Sequence, residues 1–165
     1  LGPELVRVDN LTDPCLSASH ETNRVHSIIQ QITKELQRVL SRTKPIGKAY
    51  TLAEVFCSSR SPLTQQVNAL GQKAIRFGYD QGDLATVEGR VALFTQIAVH
   101  RPEHVWFSPT CGPWSSWTNL NMSRSLEHFH EYQQQREQLL YQIALGIVLC
   151  RHQISHGRQI GRAHV

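Results

Sequence analysis

Long apolar runs, paired cysteines and glycine-rich loops are what this sequence has least of. No apolar stretch approaches the length of a membrane span and no signal peptide opens the chain, so neither a membrane span nor secretion is expected. The four cysteines, Cys15, Cys57, Cys111 and Cys150, stand far apart with no Cys-x-x-Cys pair. That spacing argues against a zinc module and against a small disulfide scaffold, and points to reduced thiols in an intracellular setting. The nine histidines are scattered; His128 and His130 are two apart on a helical stretch and so do not share a face, and no metal site is expected. Met122 is the only methionine and residue 1 is a leucine, so the chain looks like an internal fragment. There is no internal repeat.

What is present is enough for one domain with a real core: 165 residues, 40% hydrophobic and 18% charged. A net charge of +4 is compatible with a nucleic-acid partner and equally with simple solubility. Residues 160–165, Ile-Gly-Arg-Ala-His-Val, resemble one reading frame of a common sequencing-library adapter. Native sequence is therefore expected to end near Arg158 or Gln159, and residues 160–165 are set aside from fold reasoning.

Residues 1–20 carry Pro3, Asn10, Asp13 and Pro14 and no period, which predicts a loop or flexible leader. From 21 to 41, Val25, Ile28, Ile29, Ile32, Leu36, Val39 and Leu40 recur at three- and four-residue spacing, predicting an amphipathic helix with one buried stripe. Strands are predicted at 51–56, 73–77 and 104–107. Between them lie a short helix capped by Ser61 with Pro62 in its first turn, and a crossover helix over 86–100. A long helix is predicted over 125–152, with Gln133 to Arg136 on its solvated side. Strand, helix, strand, helix, strand in about sixty residues is the pattern of βαβ units. The expected fold class is α/β: a Rossmann-like parallel sheet with crossover helices, truncated at the C-terminus, preceded by an N-terminal amphipathic helix. The expected organisation is a leader and helix over 1–49 and a partial Rossmann domain over 50–159.

The stretch from 104 to 121 organises the chain. It holds Trp106, Trp114 and Trp117 and carries Cys111 in a loop kept irregular by Pro109, Gly112 and Pro113. Open α/β sheets place ligands at the carboxyl ends of their strands, which makes this loop a candidate site. The plainer reading is that the tryptophans pack and Cys111 is a small buried hydrophobe. Cys57 and Cys150 are read as packing residues. Arg76, Arg90 and Arg101 could form a phosphate-contacting patch or be separate solvated arginines.

Three stretches carry a family resemblance. Leu52-Ala53-Glu54-Val55-Phe56, leading into a small-residue loop, resembles the first motif of S-adenosylmethionine-dependent methyltransferases. Phe77-Gly78-Tyr79-Asp80 resembles the acidic position that meets the cofactor ribose. Ser108-Pro109-Thr110-Cys111-Gly112-Pro113-Trp114-Ser115 resembles the Pro-Cys loop of the cytosine-5 DNA methyltransferases. A looser resemblance is to mobile-element-like polyproteins of unicellular eukaryotes. The resemblance implies S-adenosyl-L-methionine as cofactor, DNA as partner and a nuclear setting for the parent. It makes Cys111 the nucleophile that adds to a flipped cytosine. It places Phe56, Cys57, Ser58, Ser59 and Pro109 around the cofactor, Asp80 on its ribose and Asp83 near its adenine. Glu54 would meet the cofactor or cap the following helix. The sequence departs from the pattern where Ser58, Ser59 and Arg60 replace the glycines of the first loop, and where Gly112 follows the cysteine. A second implied function is a degenerate methyltransferase-like module used for binding or scaffolding.

Overall fold

The computed structural model describes residues 14–115, 118 and 125–162. Residues 1–13 of the leader, Ser116, Trp117, residues 119–124 and residues 163–165 lie outside the described residues. The first helix, α1 (Pro14–Arg42), carries the predicted stripe: Ile29, Ile32, Leu36 and Val39 are buried and Val25, Ile28 and Leu40 pack partly against them. It starts seven residues before the predicted position 21. Pro14, taken as a loop signal, serves equally well in a helix's first turn, where its missing N–H has no partner to lose, and no proline or glycine follows it before residue 21.

Strand β1 (Leu52–Cys57) leads to α2 (Pro62–Ala69), β2 (Ala74–Gly78), α3 (Val87–His100) and β3 (His104–Phe107). A 3-10 turn (Gly112–Trp114) and the long helix α4 (Leu126–Ser155) follow, and β4 (Gln159–Arg162) ends the described chain. Two caps form where the sequence reading named none: Thr86 caps α3 by accepting from the Gly89 N–H, and Ser125 caps α4 by accepting from the His128 N–H. Ser61 stands at the start of α2 with Pro62 behind it, but its hydroxyl makes no cap and turns to Glu54 instead. None of these helices is long and apolar enough to cross a membrane.

All strand pairs are parallel, in the order β2-β1-β3-β4, so the fold is α/β and Rossmann-like. The fourth strand, of which all but Gln159 falls in the segment set aside from sequence reasoning, pairs Val105 with Ile160 and Phe107 with Arg162. Val55 of the central strand, with Ala53, Val105 and Phe107, faces a helical layer that supplies Ile32, Leu93, Phe94, Ile97, Leu145 and Leu149. Gly146 lets α4 approach the sheet, because a Cβ there would lie 2.4 Å from the Phe107 ring. The opposite face of β1 carries Glu54, against α2.

The arginine trio resolves into three separate roles: Arg76 pairs with Asp80, Arg101 donates to the Gly47 carbonyl at 2.7 Å, and Arg90 is buried. Arg90, expected to be solvated or to meet phosphate, is 4% exposed. Its Nε and Nη2 donate to the two oxygens of Glu35 at 2.7 and 2.9 Å, and its Nη1 donates to the carbonyls of Leu84 and Ala85. The pair ties α1 to α3 and to the loop before it. Burial pushes the Glu35 carboxyl up, but the hydrogen bonds and charge of Arg90 outweigh it and hold the group below its ordinary 4.5. Arg136, expected on a solvated side, is half-buried and donates to the Pro113 carbonyl at 2.7 Å.

Removing one partner of a buried pair strands the other, so Arg90→Ala should lower the unfolding free energy by about 3–5 kcal/mol. Replacing both together, as Arg90→Met with Glu35→Leu, should cost much less; urea unfolding compares them. A pH effect comes from His152, buried in the last turn of α4. Burial, with His156 and Arg158 adding to it, lowers its imidazole from 6.5 to about 4. A depressed folded-state pKa means that this stability is complete above 6.5 and is lost as pH falls towards 4. His152→Gln should flatten that part of the stability–pH curve.

Candidate functional site

The strand order reverses at β1: the chain moves from β1 to β2 on one side, then crosses to β3 on the other. In open α/β sheets ligands settle at such a switch point, beyond the carboxyl ends of the strands. Here the loops after β2 and β3 meet through Tyr79 and Thr110, and three interactions decide what the candidate residues can do.

The first is a bulge. Val55 pairs with Phe77 and Cys57 with Gly78, leaving Phe56 as the extra residue, with φ of 61°. A bulky residue in that region is strained by about 1–3 kcal/mol and needs its surroundings to hold it. Alternation along β1 would send Phe56 to the Glu54 face; the bulge turns it into the core instead. Its ring lies 5.3 Å from that of Phe107 and 6.2 Å from those of Tyr79 and Tyr141. The bulged carbonyl of Cys57 needs Gly78 opposite, since a Cβ there would come within 2.3 Å of it.

The second is a bridge across the end of β1. Tyr79 follows β2 and Thr110 follows β3, yet the Tyr79 hydroxyl and the Thr110 Oγ1 are 3.4 Å apart. Gln142 of α4 closes the same gap: its Oε1 accepts from the Thr110 N–H at 2.8 Å, and its Nε2 donates to the Tyr79 hydroxyl at 3.0 Å. The central strand's carboxyl end is therefore spanned from both sides.

The third is an ion pair. Asp80, the expected ribose acceptor, takes two hydrogen bonds of 2.7 Å from Arg76, which also reaches the Ser58 carbonyl at 3.4 Å. The bond from Arg76 lowers the Asp80 pKa, and both its oxygens are engaged. Asp83, expected near the adenine, is a turn residue: its Oδ1 accepts from the Ala85 N–H and its carbonyl from Thr86. Ser58 and Ser59 are exposed, and Cys57 is buried. Burial, with the Glu54 charge assisting, pushes the Cys57 thiol up to about 11. Glu54 meets neither a free helix end nor open space; its Oε2 accepts from Ser61 and Thr64 of α2.

Cys111 precedes the 3-10 turn, its carbonyl accepting from the Trp114 N–H, and is half-buried. With Pro109 it lines a cavity of about 430 Å³ at the carboxyl end of β3. The expectation that Cys111 faces loop 56–59 across a cofactor space is not met. The cavity's other walls come from α4 and β4, and none of its lining residues belongs to loop 56–59. Tyr79 and Gln142 were absent from the candidate residues. Gln142 had a signal, being the one amide side chain in the apolar run 139–149. Among the described residues no three His, Cys, Asp or Glu side chains are grouped to hold a metal ion.

Family models, curated proteins and solved structures were all searched, and none matches this chain.

A prediction follows from the thiols. At pH 8 iodoacetamide should leave Cys57 unlabelled in the folded protein and label it readily in urea, as peptide mass spectrometry would record. Tyr79→Phe should cost about 0.5–1.5 kcal/mol in urea unfolding through its lost hydrogen bonds.

Proposed function

We propose that this domain is a methyltransferase-like α/β module with a closed cofactor crevice, serving as a binding or scaffolding part of a longer polypeptide. The observation that carries the reading is the span of Tyr79, Thr110 and Gln142 over the end of β1. S-adenosylmethionine bound at the switch point would have to displace these groups and cost Gln142, 1% exposed, its bonds to Thr110 and Tyr79. Two further features support it. The carboxylate that should meet the ribose is held by Arg76, and the first loop presents Ser58, Ser59 and Arg60 where close backbone approach needs glycine. The residues present do not fit that cofactor in this arrangement. Calorimetry with S-adenosylmethionine and with its demethylated product should show no saturable heat. Saturable binding weakened by Asp80→Ala would overturn the reading.

One observation favours the alternative, a parent that methylates cytosine in DNA: Cys111 lies at the carboxyl end of β3 on a cavity wall. In that reading the Cys111 sulfur adds to the ring of a flipped base. A covalent adduct with 5-fluorocytosine-containing DNA, lost in Cys111→Ser, would establish it; the closed-crevice reading predicts none.

A further inference from the structure

The cavity between the β3 loop and α4 has a chemistry of its own. Its volume is about 430 Å³, roughly three times that of an apolar cavity that stays dry and takes up benzene. The Phe107 ring and the Trp114 indole supply flat faces, and Ile143 and Ile147 supply aliphatic ones. The side chains of Cys111 and Cys150 reach the same space from opposite elements. Among the described residues no lining side chain bears a formal charge, so a charged guest would lose its hydration without a counter-charge. Aromatic rings and polarisable sulfur both favour an aromatic guest over an aliphatic one.

We propose that this cavity binds an uncharged aromatic ligand of two or three fused rings, held between Trp114 and Phe107 with its edge towards Cys111 and Cys150. The proposal does not depend on whether the crevice over β1 is closed. No residue of β1 lines the cavity.

Naphthalene is the probe, and alkylation of individual cysteines by N-ethylmaleimide, followed by peptide mass spectrometry, is the readout. At about ten times its dissociation constant, naphthalene should slow labelling of both Cys111 and Cys150 roughly tenfold. The anion 2-naphthoate, with the same rings, should leave both rates unchanged. Cys150→Trp, which fills the cavity, should abolish the protection of Cys111 while the circular dichroism spectrum stays that of the parent. Unchanged labelling of both thiols in saturating naphthalene would overturn the proposal. So would equal protection by 2-naphthoate, or protection of Cys111 that survives in a folded Cys150→Trp protein. If that variant does not fold, the comparison of naphthalene with naphthoate on the parent chain decides alone.

Discussion

Gln142 is the side chain on which the carboxyl end of the sheet depends. It is buried, and a buried amide must find partners or cost about 1–3 kcal/mol. It finds them on three elements at once: the loop after β3 through the Thr110 N–H, the loop after β2 through the Tyr79 hydroxyl, and more weakly its neighbour Tyr141. Because β1 lies between β2 and β3, satisfying one glutamine draws the two flanking loops together over the central strand. The strained Phe56 is then held by rings on every side, from Tyr79, Phe107 and Tyr141. Packing, hydrogen bonding and backbone strain all converge on one closed arrangement.

The opposite problem, keeping the helices in place on the sheet, is solved by Glu35 and Arg90. Their pairing crosses 55 residues and also reaches the carbonyls of Leu84 and Ala85, so α1, α3 and the β2–α3 loop are fixed together. Gly146 does the corresponding work for α4 by omission, admitting the Phe107 ring. A rigid helical layer is the condition for the loops at the strand ends to hold a defined shape. The same layer leaves a cavity beside Cys111, walled by the β3 loop, α4 and β4.

The elements were legible because their signals are local. The apolar period of 25–40 and the short strands ending at Gly78 and Phe107 act within a turn or two of chain. The site was less legible because its interactions are not local. Tyr79 meets Thr110 across 31 residues, and Gln142 meets Thr110 and Tyr79 across 32 and 63. Asp80 misled although its partner is close: a carboxylate after a strand looks like a ligand group, yet Arg76, four residues before it on the strand, takes both its oxygens. Arg90 misled as well, since an arginine on a crossover helix gives no local sign of a buried acid on another helix. The fourth strand was missed because all of its residues but Gln159 had been set aside as foreign to the fold.

The closure over β1 can be tested at a single atom. The Thr110 amide, in an exposed residue, has Gln142 Oε1 as its acceptor, and its hydrogen exchange followed by NMR reports whether the bridge is closed. A closed bridge predicts slowed exchange at Thr110 that is unchanged by S-adenosylmethionine and accelerated by Gln142→Ala. Exchange at the rate of an unstructured loop, or protection that changes when the cofactor is added, would contradict it.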